Sequence, residues 1–186
     1  MNTKDEFIQI FNGNISREGS ATLLDWLEST DFFMAPASTR YHSCHEGGLC
    51  EHSLNVYHRL MNNIDEDPMD CHIIETVTIC GLLHDVCKAN FYKATTRNVK
   101  NDETGRWEKV PYYSVEEKFP FGHGEKSVFL IERFMKLTPE EAVAIRFHMG
   151  EFEKERSTSD AYSKFPLAVM LHIADLSATF LDEKEE

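Results

Sequence analysis

No run of apolar residues in this chain approaches the ~20 that a bilayer-spanning helix requires. The opening stretch, MNTKDEFIQIFNGN, is acidic and polar and has no apolar core of a secretory signal. Cysteine is sparse: five residues, at 44, 50, 71, 80 and 87, an odd number with no CxxC pair. Without an export signal, that pattern speaks against a disulfide framework, and the five read as reduced, mostly buried thiols. A cytoplasmic location is expected. Glycine (9) and proline (6) are scarce among the 186 residues, and no repeat, low-complexity tract or linker interrupts them. One domain over 1–186 is therefore expected. Cations are also in short supply. Lys and Arg total 19 against 32 Asp and Glu, a formal charge of −13. A uniform surface of that sign repels anionic lipid and nucleic acid, so neither a membrane nor long nucleic acid is an expected partner.

What the chain does have is apolar spacing near 3.6 residues. It predicts helices over 4–11, over Ser20–Ser29 with Ser20 as N-cap, and over 48–64. Further helices are expected from about Met69 to Lys88, over 124–136, over 138–149 and over 165–181, the last a buried helix. Thr138, Pro139 and Glu141 form the signature of a capping box with proline at the first helical position. Residues 30–47 read as irregular, NNIDEDPMD as an acidic loop, FEKERSTSDAYSKF as a polar connection and DEKEE as a frayed, solvated tail. Between the helical segments, FYKATTRNV and RWEKVPYYSV are rich in Thr, Val, Tyr and Phe and flank the turn-like KNDETG. That predicts a β-hairpin inserted at about 91–113, with strands near 91–99 and 106–113. The expected fold is all-α, a compact bundle of six or seven helices carrying one hairpin.

Candidate chemistry starts at His84 and Asp85, adjacent within the apolar string ICGLLHD. A buried carboxylate is costly unless compensated, and an imidazole beside it suggests a shared cation. His52, His123, His148 and Asp175 lie in segments of similar character. Singly, a helix-borne histidine is more often a surface or satisfied core residue than a ligand. Together, four His and two Asp can hold two ions with one bridging carboxylate. Imidazole and carboxylate ligands suit Mn, Fe, Co, Ni, Zn or Mg without selecting one. The gaps between them run from 25 to 38 residues, so each ligand comes from a different helix, as in a site inside a bundle.

The order His52, His84-Asp85, His123, His148, Asp175 resembles the HD-domain metal-dependent phosphohydrolase superfamily. The strings EGGLCEHSLNV, GLLHDVCK, FGHGEKS and HIADLSA carry the resemblance, which covers about residues 45–180. It implies an HD-type helical bundle in which His52, His84, Asp85 and Asp175 hold a first divalent ion. It implies that His123 and His148 hold a second, with Asp85 as bridge. It further implies hydrolysis of a phosphate ester by metal-activated water, with His84, Asp85 and Lys88 as catalytic residues. Members often dimerise, so the resemblance admits a homodimer. The Gly-Gly-Leu of the first string is also similar to HD-domain exoribonucleases, which usually carry a separate nucleic-acid-binding domain. A domain standing alone is expected to take a small phosphorylated substrate such as a nucleotide.

Lys88, four residues after His84, is a candidate phosphate ligand, weighed against a lysine that caps its helix C-terminus. Lys126, Arg146, Arg97 and Tyr92 are further substrate-binding candidates, with Lys93, Tyr112 and Tyr113 also on the hairpin. The tyrosines read more readily as packing residues than as platforms for a base. His42 and His45 read as loop residues that could line the pocket, and His58, His72 and His172 as structural. Three rival functions remain: an HD-type nuclease on short RNA or DNA, a non-hydrolysing nucleotide-binding regulatory protein, and an iron-pair oxygenase.

The charge of −13 is uneven. Residues 86–148 hold 11 Lys/Arg against 9 Asp/Glu, while the remainder holds 8 against 23. Two of those acids, Asp85 and Asp175, are expected ligands. Bound divalent ions would add positive charge that the sum omits. The charge argument against phosphate chemistry therefore fails locally and favours a small substrate in a pocket.

Overall fold

The computed structural model describes residues 2–39, 43–64, 71–102, 104–117, 119–150 and 158–183. The readings of His42 as a loop residue, of the acidic loop beyond residue 64, of a helix start at Met69, of the first part of the polar connection and of the tail beyond Glu183 lie outside these residues. So does the side chain of His72.

The chain is mostly helical with one hairpin. Among the described residues there are eight α-helices: α1 (Thr3–Asn14), α2 (Ser20–Ser29), α3 (Gly48–Asn62), α4 (Cys71–Leu83), α5 (His123–Glu132), α6 (Pro139–Phe147), α7 (Thr158–Lys164) and α8 (Pro166–Ser177). None of them is long and apolar enough to cross a membrane by itself. The count exceeds the expected six or seven partly because α7 forms within the segment read as a polar connection. The expected capping box is present: the Thr138 side chain accepts from the Glu141 amide, and the Glu141 carboxylate accepts from the Thr138 amide. At α2 the cap is not Ser20 but Gly19, held at φ 88°.

Two other departures matter for the site. The helix expected to run to Lys88 stops at Leu83, and Val86–Lys88 forms a short 3-10 turn instead. His84 explains the stop. Its Nδ1 donates to the carbonyl of Gly81 at 2.9 Å, satisfying a helix-terminal acceptor from the side chain. The final helix, expected to be buried and to run to residue 181, is buried on one face through Leu167, Ala168, Leu171 and Ala174 and ends at Ser177. Ile173, Phe180 and Leu181 are exposed, and beyond Ser177 the chain widens into a π-turn, Ala178–Asp182.

The hairpin consists of antiparallel strands β1 (Tyr92–Lys100) and β2 (Trp107–Val115), paired from Tyr92↔Val115 to Lys100↔Trp107. Beyond Tyr92 every β1 residue is exposed, and Trp107 near the tip is 71% exposed. It is an arm projecting from the bundle.

The apolar faces of α1–α4, α6 and α8, with Ile131 of α5, build one core around Phe7, Phe11, Leu23, Leu27, Leu82 and Leu171. α3 packs on α4 and α8, and α6 packs on α5 and α8. Two glycines set these approaches. A Cβ at Gly81 would lie 2.6 Å from the Tyr57 Cα, and one at Gly124 would lie 2.1 Å from the Arg146 carbonyl oxygen. Larger residues there would wedge α3 from α4 and α5 from α6.

A polar staple holds the opposite side. Arg17, between α1 and α2, binds the buried Glu141 carboxylate through both Nη atoms, at 2.6 and 3.0 Å, and meets Glu75 of α4 at 3.1 Å. Thr76 donates to the same Glu141 at 2.8 Å. Removing the arginine leaves Glu141 buried and without its cation. Arg17→Ala should cost about 2–3 kcal/mol, below the ~3–5 kcal/mol of a fully buried pair because Arg17 is partly solvated. A lowered urea midpoint at unchanged slope is the expected reading.

Candidate metal centre

Five of the expected ligands, carried by α3, α4 with the turn after it, α6 and α8, come together, and the sixth lies alongside. His52 sits on the buried face of α3, Asp85 and His84 follow the end of α4, His148 caps the end of α6, and Asp175 lies on α8. His123 is the first residue of α5. His52, His84, Asp85 and His148 are all buried.

Each of the three buried imidazoles is oriented in the same way. Nδ1 of His84 donates to the Gly81 carbonyl, and Nδ1 of His148 donates to the Ile145 carbonyl at 2.7 Å. Nδ1 of His52 donates to the Glu183 carboxylate at 3.0 and 3.2 Å. With Nδ1 used outward, every Nε2 points inward, the arrangement that suits imidazole as a metal ligand.

Asp85 stands at the centre. Its Oδ2 is 3.6 Å from His84 Nε2, 3.7 Å from His52 Nε2 and 2.6 Å from Lys88 Nζ. Its Oδ1 is 3.6 Å from His148 Nε2 and 3.8 Å from Cys87 Sγ. His52 Nε2 is also 3.3 Å from Asp175 Oδ1 and 3.3 Å from His84 Nε2. Among the described residues three groups of potential ligands result: His52, His84 and Asp175; His84, Asp85 and His148; and Asp85, Cys87 and His123. In each, the donor atoms lie within 4.8 Å of one another.

Several observations test whether these residues fit a cation. His148 Nε2 is buried without a hydrogen-bond partner, the one such side-chain atom among the described residues. A buried imidazole nitrogen is rarely left that way. The separations of 3.3–3.7 Å also match geometry. Nitrogen and oxygen ligands at ~2.0–2.1 Å around a tetrahedral ion lie about 3.3–3.4 Å apart. The donor set is imidazole and carboxylate, as divalent transition ions prefer. The residues fit.

The local electrostatics call for positive charge. Burial alone would lower the His52 pKa, but Asp175 and Glu183 outweigh it and raise it to about 9. Burial likewise opposes charge on Lys88, yet Asp85 holds its pKa above the usual lysine range. Asp85 is pulled well below the usual carboxylate range despite burial, by Lys88 and then His84 and His148. Burial, with His148 and His52 nearby, lowers His84 to about 4 against the pull of Asp85, so it is neutral. Burial pushes the Cys87 thiol up to about 12, with Asp85 adding to the shift.

Among the substrate candidates, Lys88 reaches the centre itself, 9% exposed and bound to Asp85. Lys126 pairs with Glu117 at 3.0 Å and lies over the Phe91 ring. Arg146 pairs with Glu125 at 2.5 Å. Tyr92 donates to the Ala37 carbonyl at 3.1 Å, a packing role. Arg97 lies over Tyr112 on the exposed arm. His45 is exposed beside Glu51, and His58 forms a surface pair with Glu6. His172 donates from Nδ1 to the His148 carbonyl at 2.6 Å, bracing that ligand from behind.

The largest correction to the sequence reading concerns Glu183. It is not part of a solvated tail. It is 7% exposed and accepts from His52, from Asn55 at 3.0 Å and from Ser43 at 2.9 Å. These contacts outweigh burial and lower its pKa to about 2. Nothing in the string DEKEE marks this residue. Asn55, three positions after His52 on α3, carried the one available signal. Cys87, two residues after Asp85, likewise carries no ligand signal in the sequence, where it is one of five thiols without a CxxC spacing.

No family model, curated protein or solved structure matches the chain. The functional reading therefore rests on this geometry and on the order of the ligand residues.

Outer partners of metal-binding histidines commonly contribute 10–100-fold to affinity. Glu183→Ala should accordingly weaken Mn or Zn binding by roughly 10–100-fold in a calorimetric titration while the helical circular dichroism is retained. Unchanged affinity would show that the Glu183 contact does not set the His52 orientation.

Proposed function

We propose that this chain is an HD-domain metal-dependent phosphohydrolase acting on a small phosphate ester, a nucleotide in the first instance. The observation that carries the proposal is the position of Asp85. Its two oxygens face two different donor sets, while three buried imidazoles turn Nε2 toward it. That is the arrangement expected of a carboxylate bridging two divalent ions.

In this reading, His52, His84, Asp175 and Oδ2 of Asp85 would hold the first ion. His148, His123 and Oδ1 of Asp85 would hold the second. Such ions supply a water of lowered pKa and Lewis acidity toward phosphoryl oxygens. The chain's own part is geometry and charge. The outward Nδ1 hydrogen bonds keep each Nε2 aimed before substrate arrives, so little reorganisation is needed. Lys88 stays protonated at neutral pH beside Asp85 and provides a positive charge for phosphate oxygens at the inner end of the site. Lys126 and Arg146, on the neighbouring α5 and α6, would extend that positive charge outward by exchanging their present carboxylate partners for phosphate.

A small substrate is favoured by the net charge of −13, which opposes a long polyanion over the surface. A nuclease on short RNA or DNA is the second reading. It is favoured by the exposed arm, where Lys93, Arg97, Lys100 and Lys109 accompany Tyr112. That reading predicts substrate binding that weakens steeply with salt.

The test is phosphate release from mono-, tri- and cyclic nucleotides by protein stripped with a chelator and reloaded with Mn, Co, Mg, Fe, Ni or Zn. Turnover should depend on the metal, and His84→Ala and Asp85→Ala should each lose at least ~100-fold of it. Variants that keep both bound metal and the wild-type rate would overturn the proposal. Tight nucleotide binding without turnover under every ion would point to a regulatory binding protein instead.

A further inference from the structure

We propose that Cys87 is itself a metal ligand, joining His123 and Oδ1 of Asp85 so that the second cation position is softer than the first. This rests on the metal-centre reading above and deepens it. Cys87 lies in the 3-10 turn after Asp85 and is 1% exposed. Its Sγ is 3.5 Å from His123 Nδ1 and 3.8 Å from Asp85 Oδ1. A tetrahedral ion with sulfur at ~2.3 Å and nitrogen or oxygen at ~2.0–2.2 Å places those donors about 3.5–3.7 Å apart. The observed separations are close to these.

The turn is not free to drift from that geometry. The Cys87 amide donates to Ser127 Oγ at 3.2 Å, which pins the turn to α5, the helix that begins with His123. The Phe91 ring lies 5.9 Å from the His123 ring and closes one side. An independent observation points to a ligand on this side. His148 Nε2 is fully buried, has no hydrogen-bond partner and lies 3.6 Å from the same Asp85 oxygen that Cys87 faces. With Nδ1 donating to the Ile145 carbonyl, Nε2 turns a lone pair toward that position, where a cation would meet it.

The two positions then differ in character. Around Oδ2 of Asp85 the ligands are imidazole and carboxylate alone, which tolerate Mn, Mg or Fe. Around Oδ1 a thiolate joins them, which favours Zn, Co or Fe over Mg. Binding there deprotonates the thiol, and the proton leaves to solvent as the ion enters. The rival account is an inert buried thiol donating weakly to Asp85.

The experiment uses the full chain loaded with cobalt and, separately, with zinc. Wild-type protein should show a near-ultraviolet thiolate-to-cobalt charge-transfer band, and zinc X-ray absorption should find a sulfur neighbour. Cys87→Ser should lose the band and drop from about two equivalents of cobalt to about one. Asp175→Ala, which strips the other position, should keep the band. Wild-type protein that binds two cobalt ions with no thiolate band, or a folded Cys87→Ser that keeps the band, overturns the role of Cys87 and leaves the metal centre standing. Protein that binds no divalent ion overturns both. Should Cys87→Ser not fold, sulfur around wild-type zinc decides, with its loss in His123→Ala supporting the proposal and its persistence there opposing it.

Discussion

A carboxylate buried in the middle of a helical bundle has to be compensated, and the arrangement around Asp85 follows from that requirement. An ionised side chain in low dielectric is stable only with opposite charge and donors at close range. Here Lys88 lies at 2.6 Å, and His52, His84 and His148 lie at 3.6–3.7 Å. No single element could bring those groups together. The turn after α4 supplies the carboxylate, one imidazole and the lysine, α3 and the end of α6 supply the others, and α8 adds a second carboxylate. The packing of α3 on α4 and α8, and of α6 on α8, is thus tied to compensating the charge of one buried group.

The bundle reaches this arrangement by using its own helix ends. A helix terminates with unsatisfied carbonyls, which must find donors if buried. At α4 and α6 the donors are His84 and His148, each bonding the carbonyl three residues before it. One hydrogen bond thereby ends the helix, selects the tautomer and turns Nε2 inward. A second layer supports it. His172 carries the His148 carbonyl, and Glu183 carries the other side of His52. The close helix approaches at Gly81 and Gly124 keep these ends within a few ångströms.

Charge is distributed to the same end. The excess of acid lies outside residues 86–148, while residues 92–115 carry five Lys/Arg against three Asp/Glu. Lys88, Lys126 and Arg146 each rest on a carboxylate, so positive charge is present near the centre but neutralised until an anion competes for it. An acidic protein can in this way present a locally cationic approach to a phosphate.

The hairpin, most of the helices and the capping box at Thr138 were legible in the chain, because each depends on spacing over a few residues. Apolar period, β-branched enrichment and cap chemistry are local quantities. The ligand candidates were legible for a related reason: His84 and Asp85 stand out against an apolar string, where ionisable groups need an explanation. The end of α4 at Leu83 was not legible, since it depends on a side chain bonding back to its own helix, and apolar period continues unbroken through Val86. Nor was α7, which lies in polar sequence. Glu183 was least legible of all. Its role depends on a π-turn that returns the chain to α3, 131 residues away from His52 in sequence. The sequence by itself determined a helical domain with a hairpin arm and a short set of chemically capable residues. The tertiary structure alone decided which of them lie within a few ångströms of one another, which nitrogen each imidazole presents, and that Cys87 and Glu183 lie against them, because those facts depend on distances between segments that local composition does not encode.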